Sequence, residues 1–168
     1  MTRRLSKEEA AAALGRAVPI ASERRVRQPR SVLQGLDPLG AVIEARLVGA
    51  SLVVFLSTTC DGCRDLAGLV REGVEGFDVL GVLRVPTDGL PDDGISSFVG
   101  TKGRWILGDD AFEAFEVRAA PFFCILDATG SLGVEGVALA ASHVADHCAR
   151  VLAGPTPPGV LRPVAEDG

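Results

Sequence analysis

Cys60 and Cys63, separated by Asp61-Gly62, are the residues in this chain whose type and spacing best suit covalent chemistry. Residues three apart share one face of a helix, so a mixed disulfide formed at Cys60 lies within reach of attack by Cys63. The preceding run Leu52-Val53-Val54-Phe55-Leu56 is short, apolar and rich in β-branched side chains, which reads as a buried strand. Ser57-Thr58-Thr59 then turns the chain, and Cys60 falls at the expected start of a helix. A helix N-terminus offers unpaired N–H groups and partial positive charge, which favour a thiolate and make Cys60 the expected nucleophile. Strand, turn, cysteine pair and helix together predict a thiol–disulfide exchange unit.

The other candidate groups have simpler readings. Cys124 lies in an apolar strand, where cysteine behaves as a small buried hydrophobe. His143 and His147 are four apart on the closing helix and share a face, but no third ligand stands near them in sequence, so a surface or satisfied pair is expected and no metal site is assigned. Cys148 follows them. A zinc site at Cys60 and Cys63 is disfavoured because four ligands are expected and there is no second Cys-x-x-Cys. Trp105, Phe112, Phe115, Phe122 and Phe123 read as core, with Phe122 also a candidate for lining a substrate groove.

The elements that must position this unit are legible around it. Residues 1–31 form a polar arm with Arg16, Arg24, Arg25, Arg27 and Arg30, and Ser6-Lys7-Glu8-Glu9 fits a capping box before a short helix ended by Gly15 and Pro19. From Ser31 the pattern is globular, and 32–153 is expected as one domain. Residues 41–48 read as a strand or hairpin. The helix should span about 60–74, with Leu66, Leu69, Val70 and Val74 as its apolar stripe. Residues 77–85 (FDVLGVLRV) give a second buried strand, completing a βαβ unit with a parallel pair. A turn-rich loop over 86–94 follows, then a short helix at 95–99, a strand at 105–107 and a helix at 109–115. Pro121 heads an apolar strand that Asp127 to Gly130 turns back into 132–137, an antiparallel hairpin. A helix over 139–152 closes the domain, and a tail over 154–168 is proline-rich.

With 168 residues, 47% of them apolar, the chain can bury a sizeable core. A net charge of −5 and a pI near 5.0 argue against a nucleic-acid partner. No apolar run approaches the roughly 18 residues of a membrane span, and the N-terminus lacks a signal peptide's apolar segment. A cytoplasmic location is the resulting expectation, and in that compartment a Cys-x-x-Cys is more often catalytic or metal-binding than a static crosslink.

Two separated motifs resemble the thioredoxin superfamily: Phe55-x4-Cys60-x2-Cys63 after a strand, and Val117-x3-Pro121 before a strand ending in Asp127-x2-Gly130. The likeness covers roughly residues 35–153. It is nearest to the TlpA and ResA type of thiol–disulfide reductase, and Phe55-Leu56-Ser57-Thr58-Thr59-Cys60 is also similar to MauD-type accessory proteins. The resemblance implies an α/β fold, a mixed sheet of about four or five strands flanked by helices. It implies catalytic Cys60 and Cys63, and a cis Pro121 beside Cys60 whose kink exposes the Ala120 backbone to an extended peptide. Thr59, Ala120, Pro121 and Phe122 are then the candidate substrate contacts. The partners implied are protein or peptide thiols and disulfides and an external redox partner, with no metal or organic cofactor.

The chain departs from that pattern in four places. Thr59 replaces the tryptophan that usually precedes the first cysteine, and Asp61-Gly62 replaces a proline-containing dipeptide. Asp61 sets a carboxylate beside Cys60, opposing the helix field. Val54 occupies the place of thioredoxin's buried acid. Two other readings stand beside the exchange enzyme: a non-catalytic binding or maturation module whose cysteines are structural or redox-sensing, and a thiol peroxidase. The second lacks the Pro-x3-Thr-x2-Cys pattern of peroxidatic sites.

Overall fold

The computed structural model describes residues 31–85 and 92–154. The arginine-rich arm with its capping box, most of the 86–94 loop, and the proline-rich tail lie outside the described residues. The elements run β1 (Val32–Leu36), β2 (Val42–Arg46), β3 (Ser51–Ser57), α1 (Cys63–Glu72), β4 (Asp78–Arg84), α2 (Asp92–Val99), β5 (Arg104–Leu107), α3 (Asp110–Ala114), β6 (Phe122–Leu126), β7 (Leu132–Val137) and α4 (Ala141–Ala153). The strands form one mixed sheet in the order β2-β1-β5-β4-β3-β6-β7.

At its centre β3 pairs in parallel with β4 and antiparallel with β6. Leu52 to Leu56 are fully buried, because helices cover both faces of the strand. Alternation splits that run. Leu52, Val54 and Leu56 join one cluster with Cys63, Leu66 and Val70 of α1 and Val144 and Cys148 of α4. Val53 and Phe55 join the opposite cluster with Val82, Ile106 and Phe112 of α3. The Phe55 ring meets Phe112 edge-on at 5.1 Å and Phe115 at 5.4 Å. Leu66 and Val70 of the predicted α1 stripe are buried. Val74 packs on the same cluster from beyond the helix, which Gly73 ends with φ at 79°.

The sheet has seven strands, where four or five were expected. The difference lies mainly at one edge, where β1 pairs β2 from Val32↔Arg46 to Leu36↔Val42 and contacts β5 through Leu36↔Leu107. The strand-or-hairpin signal at 41–48 was the second half of this hairpin. Its first half, VLQGL, alternates too weakly and is interrupted by Gly35. That glycine is required by packing, because a Cβ there would overlap the Ile106 side chain.

Asp127 organises the turn between β6 and β7. Its carboxylate accepts hydrogen bonds from Thr129 Oγ1 (2.6 Å), Thr129 N–H (2.8 Å) and Ser131 N–H (3.0 Å). Those bonds, the Thr129 hydroxyl foremost, hold its pKa below the ordinary 3.8. A depressed folded-state pKa contributes stability that is present above about 3.8 and lost as pH falls through the folded value. Asp127→Asn should therefore flatten the acid limb of stability, read as a smaller loss of the urea midpoint between pH 5 and pH 3 than in the parent.

Gly81 of β4 lies under Trp105, where an added Cβ would stand 2.5 Å from the indole. Gly81→Ala should cost about 1–3 kcal/mol by overpacking, read as a lowered denaturant midpoint at unchanged slope.

Candidate active site

The cysteine pair, Arg84 and Pro121 gather at one end of the central strands. Parallel pairing brings Ser57 at the end of β3 level with Arg84 at the end of β4. Antiparallel pairing of Phe55 with Phe122 then carries Pro121 and Ala120 alongside Leu56 and Ser57. The carboxyl ends of parallel strands in open α/β sheets are where ligands bind, because the connections there leave a crevice.

From Ser57 the chain makes two successive tight turns. Cys60 N–H donates to the Ser57 carbonyl at 3.2 Å, and Cys63 N–H donates to the Cys60 carbonyl at 3.2 Å. The Ser57 hydroxyl braces the first turn, accepting from Thr59 N–H at 3.3 Å and lying 3.0 Å from Thr59 Oγ1. Helix α1 begins at Cys63, one turn later than the expected start at Cys60, because Gly62 is its N-cap residue and Cys60 belongs to the preceding turn. Gly62 has no side chain to occupy the first-turn N–H groups, which keeps their field available to a negatively charged sulfur.

Cys60 and Cys63 form a disulfide, with Cα atoms 5.4 Å apart. Their exposures differ. Cys60 is half-buried at the surface, whereas Cys63 is fully buried among Leu66, Val70 and the even-numbered side chains of β3. Val54 belongs to the same cluster as Cys63, so the wall there is hydrocarbon. Of the two sulfurs, the geometry gives a partner molecule access to Cys60.

The Ala120–Pro121 peptide is cis. Pro121 O accepts from Ala138 N–H at 3.2 Å, which ties this corner to the end of β7. Ala120 packs against both core clusters, as expected of a residue at the end of the sheet between its faces. Thr59 is exposed beside Cys60. Phe122 is different: it packs into the cluster with Phe55 and Phe112, on the face opposite α1, whereas Phe123 joins Cys63. The alternation of β6 thus turns Phe122 away from the cysteine side of the sheet.

No signal in the sequence pointed to the role of Arg84. Its Nε donates to Asp109 at 2.6 Å, its Nη1 donates to the Arg118 carbonyl at 3.4 Å, and its guanidinium lies 4.0 Å over the Phe112 ring. One side chain thereby links β4, the start of α3 and the segment entering Pro121. An arginine at the end of a strand gives no warning of three partners so distant in sequence. Thr58 Oγ1, also in the cysteine turn, is buried without a hydrogen-bond partner among the described residues.

The remaining thiols stand apart from this chemistry. Cys124 is buried on the sheet face away from Cys63, 3.9 Å from a Glu135 carboxylate oxygen. Burial pushes the Cys148 thiol up to about 11. After reduction, iodoacetamide at pH 7 should modify Cys60 rapidly, while Cys63, Cys124 and Cys148 react only on unfolding. Peptide mapping by mass spectrometry distinguishes the four, and rapid native labelling of Cys124 or Cys148 would contradict the burial.

No protein-family model matches the sequence, and neither does any curated protein sequence. Solved structures do match. The thioredoxin domain of a thiol-disulfide oxidoreductase from Bacteroides vulgatus aligns with a TM-score of 0.55 at 16% identity, over 74% of this chain and 96% of that one. A thiol:disulfide interchange protein from Bacteroides sp. aligns at 0.57 and 16%, over 79% and 93%. A thiol:disulfide interchange protein of the thioredoxin family from Chlorobium tepidum aligns at 0.53 and 17%, over 74% and 95%. The chain has the thioredoxin-like fold, in agreement with the expectation from its two motifs.

Proposed function

We propose that this chain is a thiol–disulfide oxidoreductase acting on protein or peptide disulfides through Cys60 and Cys63. The observation that carries the reading is the unequal pair: an accessible Cys60 and a buried Cys63, joined across the turn that opens α1. The names of the structural neighbours support it, as does the strand pairing that sets Ala120 and Pro121 alongside the end of β3.

In the reducing direction, the Cys60 thiolate attacks one sulfur of a substrate disulfide. A Cys60–substrate bond forms, and the other substrate sulfur leaves as a thiolate that takes up a proton. Cys63, deprotonated, then attacks Cys60 Sγ, closing the Cys60–Cys63 bond and expelling the second substrate thiol. Two electrons pass from the protein to the substrate, and an external dithiol must restore them. The Ala120 backbone, next to Pro121, holds an extended substrate segment beside Cys60 by backbone pairing, with Thr59 at the rim. Helix α1 stabilises the Cys60 sulfur when it is the anion, and the hydrocarbon around Cys63 sends its proton toward solvent rather than to a buried carboxylate. The cysteines are the only redox groups the reaction needs. A reducing compartment such as the cytoplasm suits this direction.

Cys63→Ser should trap a mixed disulfide with a peptide substrate, whereas Cys60→Ser should form none and lose exchange activity. Equilibration of the parent with glutathione or dithiothreitol buffers, read by alkylation and mass shift, should give a reversible two-electron couple. A value between about −270 and −200 mV fits a reductase, and one near about −120 mV an oxidant. Failure to form a Cys60–Cys63 disulfide at any poise would overturn the mechanism and favour a binding module.

A further inference from the structure

Helix α4 begins beside the Pro121 corner and packs on β6, and it carries His143 and His147 on the face that meets Phe123. Both histidines are half-exposed. Phe123 lies behind them, edge-on to His143 with centroids 6.2 Å apart and tilted against His147 at 5.6 Å, which limits the rotation of each ring. The two Nε2 atoms are 3.1 Å apart, the ring centroids 4.6 Å apart, and the ring planes cross at 84°.

These distances separate two arrangements. An in-line N–H···N hydrogen bond of that length would hold the centroids about 5.4 Å apart, because donor and lone pair then lie along one axis. Two imidazoles aimed at one metal ion, each with its nitrogen at about 2.0–2.1 Å, bring the nitrogens about 2.9–3.4 Å apart and the centroids to about 4.9 Å. The 3.1 Å separation suits a hydrogen bond between the rings and also lies in the range that a shared ion sets, and the 4.6 Å centroid distance is nearer to the second arrangement than to an in-line bond. We propose that His143 and His147 form a solvent-open site for a divalent transition-metal ion, bound through both Nε2 atoms.

The chemistry of the surroundings agrees. Imidazole pairs select Cu²⁺, Ni²⁺ and Zn²⁺ over the hard, oxygen-seeking Mg²⁺ and Ca²⁺. A ligand imidazole must be neutral, and the His147 pKa is lowered by burial first, then by His143 and Arg150, against an opposing effect of Asp146. His143 Nδ1 is buried with no hydrogen-bond partner among the described residues, so the proton it carries when Nε2 binds an ion has no acceptor there, which weakens this ligand relative to one held by a second partner. No third histidine, cysteine or carboxylate among the described residues completes a cluster, so water fills the remaining positions. The bound ion would tie the first turn of α4 to the second. This proposal does not depend on the redox reading.

The test uses the untagged full-length chain with Cys60–Cys63 oxidised, so that those thiols do not compete. Calorimetric titration with Cu²⁺, Ni²⁺ and Zn²⁺ should give one equivalent per chain, tightest for Cu²⁺, and weaken in acid, where protons compete with the ion for the ligand nitrogens. His143→Gln and His147→Gln should each lower affinity at least tenfold, and Cys148→Ser should leave it unchanged. In parallel, substoichiometric Cu²⁺ should broaden the NMR signals of both histidine rings in the parent, a readout that needs no variant to fold. Equal binding by the parent and the two histidine variants, absence of one-to-one binding, or unbroadened histidine signals would each overturn the site.

Discussion

Burial of β3 on both faces while it is hydrogen-bonded on both edges is the constraint from which the rest follows. A strand so enclosed must be apolar at every interior position, and Leu52 to Leu56 are fully buried. Its backbone groups need partners on each side, which β4 and β6 supply through continuous registers. Because successive side chains alternate, the strand belongs to two cores at once and fixes α1 and α4 on one face and α3 on the other. The carboxyl end of that strand is therefore a rigid base, and the cysteine turn leaves directly from it.

Rigidity at this end of the strand matters because exchange chemistry depends on which sulfur is reached first. The turn bonds from Ser57 to Cys60 and from Cys60 to Cys63 leave one sulfur at the surface and hold the other inside. Arg84 and the Ala138–Pro121 hydrogen bond secure the opposite wall of the same end. The pairs involving Arg84 are partly exposed and individually weak; their value lies in joining three segments that no strand register connects. Hydrocarbon, Val54 included, surrounds Cys63, and the pair lies at the start of α1, where the helix field favours a thiolate.

Helix α4 shows how a packing residue also organises polar groups. Phe123 faces α4 because Phe122 faces the other core, and the same alternation that buries Phe123 in the core cluster of Cys63 backs the two histidines. A one-residue slip in β6 would exchange the two phenylalanines and remove that support.

By itself the sequence determined the βαβ unit, the cysteine pair at the strand-to-helix junction, the proline-headed β6 and its hairpin with β7, since each rests on local periodicity or a short spacing. It also placed Cys124 in the core, because an apolar strand buries what it contains. Tertiary structure decided the rest. Whether β1 exists depended on pairing with β2 and close approach to Ile106, contacts too distant to leave a pattern in VLQGL. The start of α1 moved to Cys63 because two turn bonds, not propensity, set the first helical residue. Phe122 and Phe123 look equivalent as neighbours in sequence, and only the register with β3 assigns them to opposite faces. The links made by Arg84 and the convergence of His143 and His147 are distances between side chains, and those exist only once the sheet and its helices are assembled.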